Sequence, residues 1–256
     1  IVHLPPFANL TGMNPPPTTP RVALVTGGSR GIGRATVEAL LERGFRVFFC
    51  GRSPDVVENA QQQLFIRHPG KVFSRLCDMR SQAAVEEMVA WVEEEAGRLD
   101  VLVNNAGLGH FAPVDELSGD DFREVIETNL LGPFYAIHAV APMMKRQGEG
   151  WIFNIASLAA KNPFAGGAAY NASKFGLVGM SEAAMLDLRH FGIRIAAICP
   201  GSVDTDFGGG IMRSPRGADW RLAPEDIAKV VTDLLDFPAR ALPSLIEIRP
   251  TRPPKK

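Results

Sequence analysis

Apolar residues follow two alternating rhythms along this chain. Between Arg21 and Pro250, short runs rich in Val, Ile, Leu and Phe alternate with longer stretches whose apolar residues recur every three or four positions. The short runs are 21–27 (RVALVTG), 46–51 (RVFFCG), 71–78 (KVFSRLCD), 99–107 (LDVLVNNAG), 150–157 (GWIFNIAS), 193–201 (IRIAAICPG) and 244–250 (SLIEIRP). Several are apolar on consecutive residues, the pattern of strands buried on both faces and hence of a parallel sheet. Of the longer stretches, 81–97 places Val85, Met88, Val89 and Val92 on one helical face with glutamates opposite. Stretch 33–44 has the same period, and 224–237 opens on Pro224 and two acids, a good helix start. Strand–helix alternation with short links predicts βαβ units with right-handed crossovers. The expected fold is α/β: a Rossmann-type, doubly wound parallel sheet of about seven strands with helices on both faces. It forms one domain over 21–250. Residues 1–20, with six prolines, are expected to be an extended arm outside the fold, and 251–256 a C-terminal tail.

Composition narrows the function. Hydrophobic residues make up 46% of the 256, enough for a large core. A net charge of −1 gives no basic field to draw nucleic acid, and no apolar run approaches the ~20 residues of a membrane helix. The cysteines Cys50, Cys77 and Cys199 form neither a CxxC pair nor a Cys/His cluster, so no metal is expected. Their sparse, odd count suits a reducing, cytoplasmic setting. They read as packing residues, although Cys50 and Cys77 on neighbouring strands leave a redox role open.

Two constellations carry chemistry. The first strand ends in Thr26-Gly27-Gly28-Ser29-Arg30-Gly31-Ile32-Gly33, followed by a helical stretch. Glycines there let the backbone approach a pyrophosphate, and the helix start offers free N–H groups to that anion. The second strand ends in Cys50-Gly51-Arg52-Ser53, where an NAD enzyme typically has an acid for the ribose hydroxyls. Arginine forks at Arg30 and Arg52 suit a phosphate instead. The second constellation is Tyr170-Asn171-Ala172-Ser173-Lys174. Positions i and i+4 share a helix face, so the Lys174 ammonium can lie near the Tyr170 phenol and lower its pKa. Ser157 ends the fifth strand thirteen residues earlier, able to hydrogen-bond a carbonyl or alcohol oxygen.

The T-G-x-x-x-G-x-G turn, Y-x-x-x-K with its upstream serine, Asn104-Asn105-Ala106-Gly107, Thr128-Asn129 and Pro200-Gly201 together resemble the short-chain dehydrogenase/reductase family over about residues 21–250. The resemblance implies an NADP(H)-dependent oxidoreductase that moves a hydride between the nicotinamide and a carbonyl or secondary alcohol, as a ketone, aldehyde or 3-oxoacyl reductase. It makes Asn129, Ser157, Tyr170 and Lys174 catalytic. Tyr170 would be acid/base, Lys174 its pKa modulator, Ser157 the orienting hydroxyl, and Asn129 the holder of a water linked to Lys174. Cofactor contacts are implied for Gly27, Ser29, Arg30, Gly31, Ile32 and Gly33, then Arg52 and Ser53, then Asp78 beside the adenine with Met79. Further contacts are implied for Asn105, Ala106, Gly107 and Thr128, for Tyr170 and Lys174, and for Pro200, Gly201, Val203 and Thr205. Segment 168–190 matches the helix that packs between subunits in that family, implying a homodimer or homotetramer. The alternative kept open is an NADP(H)-binding scaffold or sensor with little turnover.

The substrate side is expected at Leu108–Pro113, Leu158–Gly167 and Val203–Leu222. Phe111, Phe164, Phe207, Ile211, Met212 and Trp220 there point to an apolar or aromatic carbonyl compound. Lys161, Arg213 and Arg216 read as solvated charges, with an anionic acyl carrier as the other reading. His110 shows no partner. Gly208-Gly209-Gly210 and the apolar residues around them are expected to form a lid.

Overall fold

A computed structural model describes residues 20–207 and 220–254. Seven strands form a single parallel sheet: β1 (Val22–Thr26), β2 (Arg46–Gly51), β3 (Val72–Leu76), β4 (Val101–Asn104), β5 (Gly150–Ile155), β6 (Ile193–Pro200) and β7 (Leu245–Ile248). Their order is β3-β2-β1-β4-β5-β6-β7. The helices are α1 (Gly31–Glu42), α2 (Pro54–Arg67), α3 (Gln82–Ala96), α4 (Gly119–Ile126), α5 (Gly132–Gln147), α6 (Ala168–Leu188) and α7 (Pro224–Leu234).

Both faces of the sheet are covered, which is why β1 is apolar without alternation. Ala23 and Val25 pack with Leu40 of α1, Val57 of α2 and Val231 of α7. Val22 and Leu24, on the opposite face, pack with Met88 of α3 and Val140 of α5. The expected strands are all present, trimmed where side chains capture the backbone. The fourth stops at Asn104 because the N–H groups of Asn105 and Ala106 donate to Thr26 Oγ1 at 3.0 and 3.1 Å instead of to a neighbouring strand. The fifth stops at Ile155, and Ser157 opens a 3₁₀ turn, its Oγ accepting from Ala159 N at 3.1 Å. The first helix starts at Gly31, directly out of the glycine turn, and α7 ends at Leu234, earlier than 237.

From β1 the chain builds outward to β2 and β3 on one side, and from β4 to β7 on the other. Loops at the carboxyl ends of β1 and β4 therefore diverge and leave a crevice, the usual ligand position in an open α/β sheet. The expected N-terminal arm (apart from Pro20) and the lid residues 208–219 lie outside the described residues.

Candidate active site

A cavity of about 940 Å³ fills that crevice. Its first wall is the glycine turn. Gly27 and Gly31 have φ of +64° and +54°, a region that favours glycine. The Asn105 amide braces the turn, donating to Thr26 O and Gly27 O at 3.0 Å each. Gly33 lies beneath it: a Cβ there would sit 2.2 Å from Gly27 O and 2.4 Å from Asn105 Nδ2. Arg30 is the N-cap of α1 without a side-chain cap, so the first N–H groups of the helix are left for a ligand. Gly33→Ala is expected to push the turn off its brace, costing about 1–3 kcal/mol of stability by overpacking and weakening nucleotide binding. Thermal melts and NADPH titration of the variant check this; an unchanged melt would show that the turn yields freely.

The second wall carries charge. Arg30, Arg52 and Ser53 line the cavity. Arg52 Nη1 and Arg80 Nη1 each donate to Glu124 Oε1 at 3.1 Å, and His110 Nε2 lies 2.9 Å from Glu124 Oε2. The His110 hydrogen bond, followed by that from Arg52, holds the Glu124 carboxyl below the ordinary glutamate range. His110 thus has a partner that its loop position did not reveal. Asp78 departs from expectation. Its carboxylate is turned to Arg80, with Arg80 Nη2 2.6 Å from Oδ2, and it does not line the cavity, whereas Cys77 and Met79 on either side do.

The third wall carries the reactive groups. Ser157 follows β5, and Tyr170 and Lys174 project from the first turns of α6. All three line the cavity, and the Ser157 hydroxyl stands close enough to the phenol to pull its pKa downward. Lys174 is buried, donates from Nζ to Ile155 O at 2.8 Å, and lies 5.7 Å from the Tyr170 ring centre. The expected lowering of the phenol pKa is not what this arrangement does. Burial pushes Tyr170 up to about 12, against the opposing pull of the Ser157 hydroxyl. Burial likewise lowers Lys174 to about 8. Asn129 sits behind this wall in a π-helical turn, fully buried. Its amide donates to Leu108 O and Ser173 Oγ and accepts from Leu108 N, so it does not face the cavity.

The remaining expected contacts, Ile32, Asn105, Ala106, Gly107, Thr128, Pro200, Gly201, Val203 and Thr205, also line the cavity with Gly27, Ser29 and Gly31. Gly33 contributes from below. The buried Thr128 hydroxyl has no hydrogen-bond partner among the described residues. A glycine cradle at a helix start, two arginines and an orphaned hydroxyl are a donor set that fits a phosphorylated dinucleotide. Among the described residues no group of His, Cys, Asp or Glu is placed to hold a metal.

A family model for the short chain dehydrogenases matches residues 21–214. The chain belongs to this family. It is an oxidoreductase. A 3-oxoacyl-(acyl-carrier-protein) reductase of Synechocystis sp. is 32% identical over 87% of this chain and 92% of its own. Among solved structures, an alcohol dehydrogenase from the archaeon Thermococcus sibiricus complexed with 5-hydroxy-NADP matches with a TM-score of 0.84 at 32% identity, covering 92% of this chain and 99% of that one. A variant actinorhodin polyketide ketoreductase with NADPH matches with a TM-score of 0.82 at 32% identity, covering 90% and 96%.

Residues outside the two constellations also line the cavity of this short-chain dehydrogenase. Cys50 and Cys77 are free and buried, and both line the cavity. Arg249, Pro250 and Pro253 form part of the wall near the substrate loops, so the proline-rich end is not a detached tail. Lys161 is not merely solvated, since its Nζ donates to Glu247 Oε1 at 2.7 Å. No helix among the described residues is long and apolar enough to cross a membrane.

Proposed function

We propose that this short-chain dehydrogenase is an NADP(H)-dependent reductase of a ketone, aldehyde or 3-oxoacyl compound, and in reverse an oxidant of the matching alcohol. The observation that carries this reading is the meeting of Ser157, Tyr170 and Lys174 on one wall of a cavity whose other end holds the glycine turn with Arg30 and Arg52. NADP(H) would be held by the turn, by Thr128, Asn105 and Gly107, by Pro200 to Thr205, and at its phosphate by the two arginines; when bound it supplies the hydride. The chain's own groups do the rest. Ser157 orients the carbonyl oxygen. Tyr170 is neutral at pH 7, because its pKa is near 12, and so holds the proton that this oxygen needs. The buried Lys174 ammonium stabilises the phenolate left behind. Asn129 acts as a positioning residue here, fixing Leu108 and the α6 turn around Ser173.

Reduction then requires a neutral phenol and a charged lysine together. The phenol keeps its proton far above neutrality, whereas the ammonium is lost as pH rises through about 8. The expected kcat/KM for reduction is therefore level in the neutral range and falls above about pH 8. Lys174→Arg, which keeps its charge, should shift that falling limb upward. A pH profile of both enzymes checks this, and an identical limb in the two would exclude Lys174 as its source.

The test of the function is loss of NADPH absorbance with a panel of diketones, aldehydes and 3-oxoacyl thioesters. NADPH binding without consumption of any carbonyl would favour a scaffold. We infer a homodimer or homotetramer through α6, on which Phe175 and Leu186 stand exposed. We also infer a cytoplasmic location, in keeping with three free, buried cysteines.

A further inference from the structure

Tyr170 stands in a cluster of rings drawn from three separate loops. The Phe111 ring meets it edge-on with centres 5.7 Å apart, Phe207 lies at 5.6 Å and Phe164 at 6.5 Å. Phe111 and Phe164 are 5.9 Å from each other. Two of the rings are seated against glycines. A Cβ at Gly109 would lie 2.5 Å from the Phe111 ring, and one at Gly167 would lie 2.6 Å from the Phe164 ring. The loops that carry them are tied together by Ala112 N donating to Gly166 O at 3.0 Å, and Asn171 Nδ2 donates to Phe164 O at 3.3 Å. Phe164, Phe207, Trp220 and Tyr170 line the cavity, and Phe111 backs the first and last of these.

We infer that these rings form a slot for an aryl ketone, with the carbonyl held at Ser157 and Tyr170 and the aryl ring packed among Phe164, Phe207 and Trp220. This rests on the reductase reading above and narrows its substrate class. Three arguments favour aromatic over merely apolar groups. Aromatic side chains recur on the substrate side of Tyr170, although aliphatic residues would bury as well. The rings stand at 43° to 64° to one another, so a further ring among them would meet edges as well as faces, contacts that gain beyond area burial. Phe111 and Phe164 are also preset, because Gly109 and Gly167 seat them close to the backbone, so a planar ligand meets that side of the slot already ordered. Of the cations near this end, Lys161 and Arg249 share one carboxylate, Glu247, at 2.7 Å each, and Arg221 pairs with Asp204 at 3.4 Å.

The experiment uses the full chain saturated with NADP⁺ and measures binding of 1-phenyl-1,2-propanedione and its cyclohexyl analogue by calorimetry. The two probes share the dione and nearly the same apolar bulk, so a difference reports on the ring. The phenyl compound is expected to bind about tenfold more tightly, the scale of one or two aromatic pairs. Phe164→Leu and Phe111→Leu, which keep apolar volume and so the fold, should erase most of that difference and leave NADPH affinity unchanged. Gly167→Ala, which pushes the Phe164 ring out of its seat, should do the same. Equal or reversed affinities, or a phenyl preference that survives all three substitutions, would overturn the slot. NADPH turnover separates the two readings. Turnover without phenyl preference removes the slot and keeps the reductase. Phenyl preference in binding without turnover keeps the slot and removes the reductase.

Discussion

Tyr170→Phe is expected to lower kcat/KM for carbonyl reduction by about 10²–10⁴-fold, the usual loss when one positioned acid is removed. At about 1.4 kcal/mol per tenfold, that is about 3–5 kcal/mol of transition-state stabilisation. The substitution isolates the proton. The ring keeps its edge contact with Phe111 and its place beside Phe207, so packing of the cluster is retained. Only the hydroxyl and its interaction with Ser157 disappear. The nucleotide is held chiefly at the turn, the arginines and the segment after β6, so NADPH affinity should change little. Steady-state kinetics combined with NADPH titration make the check. A variant with near-normal turnover would place the acid elsewhere, because among the groups lining this wall Ser157 has no comparable proton to give. Loss of NADPH binding together with activity would instead mean that the hydroxyl is structural.

The sequence disclosed those parts of this site whose chemistry depends on residue type at fixed spacing. Tyr170 and Lys174 share a face because α6 is a helix, and Ser157 follows the strand beside them. The turn at 26–33 needs glycine for conformational and steric reasons, which the contact of Gly33 with Gly27 O makes concrete. The strands were legible because burial on both faces leaves no polar alternation. What stayed hidden depends on long-range placement. Nothing local says that His110 and Arg52 will converge on Glu124, which is 14 and 72 positions away from them. Nothing local says that Arg80 will claim Asp78 and turn it from the cavity. The prolines at the chain end read as a C-terminal tail, yet Pro250 and Pro253 reach the cavity because β7 pairs with β6 and delivers them there. The sign of the Tyr170 shift was also hidden. Proximity to a lysine predicts lowering, whereas burial of the hydroxyl, only partly offset by Ser157, raises it; burial is set by the fold and not by spacing.

Arg52→Asp is expected to reverse much of the cofactor preference of this enzyme. In the unmutated chain, Arg30 and Arg52 both line the cavity and can each offer a charge-assisted fork to a 2′-phosphate. Such bonds contribute about 1.5–3 kcal/mol each, so NADPH should be preferred over NADH by on the order of 10²-fold in kcat/KM. Arg52 is engaged with Glu124, but that pair is a weak competitor. The arginine side chain is 47% exposed, and exposed ion pairs contribute only about 0–1 kcal/mol. The phosphate can therefore take the guanidinium while Arg80 and His110 remain to satisfy Glu124. Aspartate at position 52 changes both sides of the comparison. It repels the dianionic phosphate, and it offers NADH an acceptor for a ribose hydroxyl. It also sets a second carboxylate near Glu124, so some loss of affinity for both nucleotides accompanies the switch. Salt adds an independent check, since a preference built on exposed charges should shrink as ionic strength rises. The measurement is kcat/KM for each nucleotide in both enzymes at low and high salt. Equal values for NADH and NADPH in the unmutated enzyme would overturn the assignment of the phosphate to these arginines. A preference that persists in the variant would move it to Arg30 alone.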